Sequence, residues 1–175
     1  MIVRRFLTIA ACALAGSVLV QADDMSINFD PHVDFSVFKT FHVRDTKIAS
    51  ARPELDNRLF IKRVEQAIES ALEAKGLTET EDLPGLFVDF RVTGDDVSTS
   101  QPGGRISVGR GRSVSTGPQS VRYTVATLVI DLVRPGDPVP VWSGVYRDDE
   151  RTGSKLVQKL PEDATKLLAR YPPKK

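Results

Sequence analysis

Apolar and polar side chains alternate most regularly in residues 121–147. Successive side chains of a β-strand point to opposite faces, so this alternation predicts one apolar face and one mixed face. The apolar face is formed by Ala126, Leu128, Ile130 and Leu132. The following Pro135-Gly136 predicts a turn, because proline fixes the first central φ and glycine accepts a positive second φ. A return strand starts near Pro140 and carries the only tryptophan, Trp142. These residues predict a β-hairpin.

Two other stretches repeat apolar residues at three- and four-residue steps, which predicts amphipathic helices. The first runs from Pro53 to Lys75, with Pro53 in the first turn and Gly76 as the stop. Its apolar stripe is Leu59, Phe60, Val64, Ala67, Ile68, Ala71 and Leu72. We expect this helix to lie across the apolar face of the hairpin. The second helix closes the chain, with Pro161 in or near its first turn and Pro172 after its end.

Shorter strands are predicted at 26–31, within 34–43 and at 86–93, the last two from the same two-residue alternation. Residues 94–118 contain Ser, Thr, Gly, Gln and Arg and almost no large apolar residue, which indicates a loose loop or a long hairpin tip. A weak strand at Arg105 to Val108 is compatible with either interpretation, the loop or the hairpin tip. The fold class is therefore α+β: a two-layer, mostly antiparallel sheet of about four to six strands with two helices on one face.

The first 22 residues have the pattern of a secretory signal peptide. Arg4 and Arg5 provide a basic start, an apolar run follows from Phe6 to Val20, and the predicted cut lies between Ala22 and Asp23. An uncleaved anchor is the alternative, but the run is short for a membrane span of about 20 residues. The predicted organisation is a signal peptide at 1–22 and a single periplasmic domain at 23–175.

A second export route is compatible with Cys12, the only cysteine. The preceding Ile9-Ala10-Ala11 fits a loose lipoprotein box, which would make the protein an outer-membrane lipoprotein. Only six residues separate Arg5 from Cys12, which is short for an export core, so the signal-peptide reading is favoured. Membrane association is expected only if Cys12 is lipidated.

The balance of charged side chains limits the kinds of partner that the protein can bind. There are 24 basic and 23 acidic side chains. No clustered basic surplus of the kind that nucleic-acid binding requires is present, so we expect no nucleic-acid partner.

Several short motifs, in their order along the chain, resemble the bacterial envelope family known as domain of unknown function 4136. They are Phe29-Asp30-Pro31, Asp34-Phe35-Ser36, Lys39-Thr40-Phe41, Ala74-Lys75-Gly76-Leu77, Leu86-Phe87-Val88-Asp89-Phe90, Val129-Ile130-Asp131-Leu132, Val141-Trp142-Ser143-Gly144 and the closing Leu167-Leu168-Ala169-Arg170-Tyr171-Pro172-Pro173. The resemblance implies an exported domain, commonly a lipoprotein, with no assigned reaction and no catalytic residues. The chain departs from that pattern by lacking a well-placed lipoprotein-box cysteine.

Two aspartates, Asp89 and Asp131, lie inside predicted strands, where aspartate is disfavoured. Two carboxylates on adjacent strands can share a proton and perform acid–base chemistry. The simpler interpretation, which we favour, places them on the open sheet face in cross-strand ion pairs with Arg91 or a similar neighbour.

The two histidines, His32 and His42, would form a metal site only by converging with a carboxylate such as Asp30 or Asp34. Their spacing matches no recognised ligand pattern, and we expect neither a metal nor another cofactor.

A glycine-rich segment at 103–113 carries Arg105, Arg110 and Arg112. Glycines allow backbone N–H groups to approach an anion, and arginines clamp phosphate or carboxylate groups. The segment lacks the Gly-Lys-Ser/Thr of a phosphate-binding loop, so a mobile, solvated loop is the favoured interpretation.

These observations favour a non-catalytic envelope domain that binds another envelope component. An envelope protein or an anionic glycan or lipid is the expected partner, bound through the open sheet face, an edge strand or the arginine-glycine segment. The alternative is a hydrolase-like enzyme that acts on cell-wall or lipid substrates through Asp89 and Asp131.

Overall fold

The computed structural model describes residues 24–44, 47–50, 55–103, 105–108, 112–115, 117–150 and 153–174. The strands are β1 (Asp24–Phe29), β2 (Thr40–Val43), β3 (Lys47–Ser50), β4 (Thr78–Glu79), β5 (Leu86–Gln101), β6 (Arg105–Val108), β7 (Arg112–Ser115), β8 (Gln119–Val133) and β9 (Pro140–Glu150). The helices are α1 (Arg58–Glu73) and α2 (Gly153–Leu168), and a 3₁₀ turn covers Phe35–Val37.

The main sheet is open and mixed, in the order β1-β9-β8-β5-β2-β4, with β3 paired to β5 beyond the end of β2. The long pairings, β5 with β8, β8 with β9 and β9 with β1, are antiparallel. β2 and β3 pair with β5 in parallel, as does β4 with β2. The predicted α+β fold with a mostly antiparallel sheet is confirmed, and the parallel strands at one side are an addition to it.

The predicted hairpin is present as β8 and β9. Gly136 adopts a φ of +82°, and the N–H of Asp137 donates to the carbonyl of Arg134 at 3.1 Å, which closes the turn. Leu128, Ile130 and Leu132 are fully buried, together with the even-numbered residues of β5 from Leu86 to Val92. The apolar face of the alternation therefore forms one wall of the core.

The helix that contacts both strands of the hairpin is α2, whereas α1 packs against α2 and β4. This corrects the prediction that the first helix lies across the hairpin. The physical reason is connectivity, because β9 ends at Glu150 and α2 begins at Gly153. A helix that follows a strand so directly folds back onto that strand, and α1 packs beside α2 and against β4.

Two predicted helix boundaries are also corrected. α1 begins at Arg58 rather than in the turn containing Pro53, which lies outside the described residues. The side chain of Asn57 accepts the N–H of Leu59 at 2.8 Å and acts as the N-cap.

The second correction concerns Pro161, which lies inside α2 and not in its first turn. Proline normally interrupts a helix because it lacks the N–H donor. Here Leu156, before the proline, is fully buried, as are Leu160 and Ala164 beside and after it. One continuous apolar stripe therefore holds both halves of the helix against the sheet.

Of the two interpretations of residues 94–118, the long hairpin tip is the one observed, and the weak strand predicted at Arg105 to Val108 is present as β6. β5 continues to Gln101, which pairs with Gln119 at the start of β8. β6 and β7 form a separate antiparallel ribbon between them. Residues 1–23, which include the predicted leader and the expected cut between Ala22 and Asp23, lie outside the described residues. Within the described part of the chain, no helix has the length and apolar character needed to span a membrane.

Candidate functional site

The helices cover one face of the sheet, and the opposite face carries a row of polar side chains. Asp89 of β5 pairs directly with Asp131 of β8, which pairs with Ser143 of β9. The neighbours of these residues along each strand are buried under the helices, so the alternation of the strands places the polar row on the open face. The two aspartates that the sequence singled out are therefore adjacent.

Asp89 is held by Arg44, which follows directly after β2. The Nε of Arg44 donates to one carboxylate oxygen of Asp89 at 2.6 Å, and an Nη of the same guanidinium donates to the other oxygen. The guanidinium also lies over the ring of Phe87, 4.6 Å from its centroid. A bidentate pair that stacks on an aromatic face has a defined orientation, so Arg44 is fixed although it is partly exposed.

Asp131 has a different pair of donors. An Nη of Arg91 donates to one carboxylate oxygen at 3.2 Å, and the hydroxyl of Ser143 donates to the other at 2.6 Å. The Asp131 side chain is 15% exposed, whereas the Arg91 side chain is 60% exposed. Each aspartate thus has its own arginine, which offsets the repulsion of two carboxylates at directly opposed strand positions.

A histidine–glutamate pair, His42 and Glu79, lies beside these groups. The Nδ1 of His42 is 2.9 Å from a carboxylate oxygen of Glu79, and its ring packs edge-on against Phe87. An open concavity of about 860 Å³ lies over this part of the sheet. Its polar lining consists of His42, Arg44, Glu81, Asp89, Arg91 and Asp131. The site is therefore a cleft of mixed charge at the β2 side of the open face.

Two of the remaining residues predicted to bind belong to the β6–β7 ribbon. Arg105 pairs with Ser115 and Arg112 pairs with Val108, at opposite ends of the β6–β7 ribbon. Three residue steps along the strand separate the two ends by about 10 Å. Arg110 lies outside the described residues.

The histidines that the sequence suggested as metal ligands have separate partners. The backbone N–H of His32 donates to a carboxylate oxygen of Asp30 at 2.8 Å in a local turn, and His42 contacts Glu79. Across the described ranges, no group of three or more His, Cys, Asp or Glu side chains is placed to hold a metal ion.

Four members of the site were missed from the sequence: Arg44, Glu79, Glu81 and Ser143. His42 was considered only as a metal ligand. His42 and Arg44 alternate with the apolar Phe41 and Val43, so their shared face could have been predicted. Their approach to Asp89 depends on the parallel pairing of β2 with β5, for which the local sequence contains no signal.

These features define a two-layer α+β domain with one face sealed by helices and one polar face that holds a mixed-charge cleft. The chain belongs to the family described as Domain of unknown function (DUF4136), whose model matches residues 25–173. The resemblance drawn from the short motifs is therefore confirmed.

One solved structure shows the same fold. The chain is similar to a PDZ domain protein from Parabacteroides distasonis, with a TM-score of 0.58 and 16% identity over 87% of this chain. This chain spans only 36% of the length of that protein. A DUF4136 family protein from Bacteroides thetaiotaomicron matches with a TM-score of 0.44 and 17% identity, over 83% of this chain and 91% of that chain. No curated protein matches the sequence.

Proposed function

We propose that this protein is a non-catalytic domain of the bacterial envelope that binds another envelope component through the open face of its sheet. The observation that carries the proposal is the asymmetry of the sheet. One face is closed by two helices, and the other presents a cleft of paired charges. The basic and apolar leader at 1–22 supports export to the envelope.

The open face combines the features of a binding surface. The row next to the aspartates contains Arg91, the half-buried Val129 and Val145, and the exposed Ser26. An apolar centre with a polar rim is the usual arrangement at protein interfaces. The ion pairs flank this apolar row and would give the surface its specificity.

The hydrogen bonding of the aspartates supports a role in binding. Both oxygens of Asp89 accept from Arg44, and the two oxygens of Asp131 accept from Arg91 and Ser143. These donors position the carboxylates as fixed charges.

Photo-crosslinking in intact cells tests the proposal. A photoreactive amino acid replaces Val145 on the open face, and in a matched variant it replaces Gln158 on the exposed side of α2. We expect a discrete crosslinked product from position 145 and none from position 158. Products of equal yield from both positions, or none from position 145, would show that the open face is not the binding surface.

The alternative function, hydrolysis of cell-wall or lipid substrates, is favoured by one observation. Asp89 and Asp131 line the same concavity. Incubating the purified protein with isolated cell wall and with envelope lipids, followed by mass spectrometry of the products, tests this function. Hydrolysis that is abolished in both Asp89→Asn and Asp131→Asn would replace the proposal of a non-catalytic domain.

A further inference from the structure

We propose that the group bound in the cleft is the primary ammonium of a lysine side chain presented by a partner polypeptide. This inference rests on the proposed function and specifies the chemistry of its binding site.

The charge of the cleft favours a cation. Two arginines line it, Arg44 and Arg91, against three carboxylates, Glu81, Asp89 and Asp131. His42, which lines the cleft, is hydrogen-bonded to a further carboxylate, that of Glu79. Clefts lined by an excess of one sign concentrate ligands of the opposite sign.

The two central carboxylates have the spacing that one ammonium requires. Asp89 and Asp131 are directly opposed on neighbouring strands, which places their Cβ atoms about 5 Å apart. Each carboxylate oxygen has two acceptor sites, and each oxygen of this pair accepts one donor from the protein in the contacts above. An ammonium carries three N–H donors and can bond to both carboxylates at once.

The surroundings of the carboxylates fit a lysine stem better than a sugar ring. Arg44 covers one face of Phe87, and His42 packs edge-on against the same ring, so both contacts compete with a sugar that would stack there. The half-buried Val129 lies two residues from Asp131, and Val145 lies opposite Val129. The methylene stem of lysine packs along such an apolar row while its charged end reaches the carboxylates.

The experiment titrates the ¹⁵N-labelled full-length protein with the peptide acetyl-Ala-Lys-Ala-amide and follows amide chemical shifts. The control peptide has norleucine in place of lysine, which keeps the stem and removes the charge. We expect shifts at Asp89, Asp131 and Ser143 with the lysine peptide alone, and a Kd on the order of 1 mM for so small a ligand. Affinity should weaken on raising the salt concentration.

Variants assign the binding to the two carboxylates. Asp89→Asn and Asp131→Asn should each weaken binding of the lysine peptide by about tenfold, because each variant loses a charged hydrogen bond. The matched control is Asp137→Asn, which neutralises an arginine-paired aspartate in the β8–β9 turn and should leave the affinity unchanged. Arg91→Gln should tighten binding, because it removes the guanidinium that competes for Asp131. A misfolded variant could not produce that gain.

Equal shifts with the norleucine peptide, unchanged affinity in the two Asn variants, or weaker binding to Arg91→Gln would overturn the inference. Its failure is distinguishable from failure of the proposed function. A crosslink from position 145 together with no response to the lysine peptide would keep the open face as a binding surface and reject the ammonium. Loss of the crosslink would reject the surface itself.

Discussion

The contact between α2 and β9 predicts a large effect for a very small substitution, Gly144→Ala. A Cβ atom at position 144 would lie 2.6 Å from the Cη2 of Trp142, 2.8 Å from the Cγ of Leu167 and 2.9 Å from the Cδ1 of Leu167. Both neighbouring side chains are fully buried, so neither can rotate into solvent.

The magnitude follows from these distances. Carbon atoms pack at about 3.5–4.0 Å, so the helix and the strand must separate by about 1 Å, or Trp142 must leave its rotamer. Overpacking of a core typically costs about 1–3 kcal/mol. Because three contacts are violated together, we expect a loss of about 3 kcal/mol, at the upper end of that range.

Urea denaturation and thermal unfolding measure this loss. Urea slopes for small proteins are about 1–3 kcal/mol/M, so the midpoint should fall by about 1–3 M. The melting temperature should fall by about 6–12 °C for a domain of this size. The control is Gly117→Ala, since a Cβ there meets nothing within 4 Å, and its stability should be unchanged or slightly raised. If Gly144→Ala were as stable as that control, the close packing of α2 on β9 would be wrong.

Three further substitutions have expected outcomes in pH-dependent or thermal unfolding. The N–H of Val139 and then the guanidinium of Arg134 lower the pKa of Asp137, so its charge stabilises the folded state above about pH 4, the unfolded value, and that stabilisation disappears as pH falls through the folded pKa. The Asp137→Asn variant should therefore have a lower melting temperature than the wild type at pH 6 and the same melting temperature at pH 2. Burial, followed by the charges of Glu79, Glu65 and Glu73, raises the pKa of Glu69, so its ionised form opposes folding above the unfolded pKa. Glu69→Gln should raise the melting temperature at pH 7 and leave it unchanged at pH 3; a rise of equal size at both values would contradict the electrostatic cause. Burial raises the pKa of Tyr171 to about 12, and its hydroxyl has no hydrogen-bond partner among the described residues. Tyr171→Phe should therefore be as stable as the wild type or more stable, whereas a loss above about 1 kcal/mol would indicate a hydrogen bond of the hydroxyl.

The parts of the fold that depend on local pattern were predictable. The alternation from Ala126 to Leu132 and the Pro135-Gly136 turn are sufficient for the β8–β9 hairpin, because face and turn geometry are properties of neighbouring residues. The apolar stripe of α1 is similarly local, but its start was misplaced, and Leu59, predicted to belong to the stripe, is exposed. Asn57 and Pro53 are both acceptable near a helix N-terminus, and the side-chain cap on Leu59 decides between them.

The parts that depend on long-range contacts were not predictable. Pro161 is a local signal for a helix start, but the burial of Leu156 overrides it. The parallel pairing of β2 with β5 brings Arg44 to a carboxylate 45 residues away in sequence. The pair Asp89 and Asp131 was identified because aspartate inside a strand is unusual, whereas Ser143 and Arg44 belong to the site only through the register of the sheet.

The ends of β5 and β8 have a consequence for how the domain responds to heat and to force. Beyond Asp96 and Thr124, residues 97–101 and 119–123 pair only with each other in the described part of the chain, with no third strand beside them. A two-stranded ribbon has little stability of its own, whereas the rows from Leu86 to Val92 share the helix-covered core. Backbone amides of the ribbon should therefore exchange with deuterium long before those of the core. The ribbon of residues 97–101 and 119–123 can then change shape against a neighbouring molecule while the core of the domain stays folded.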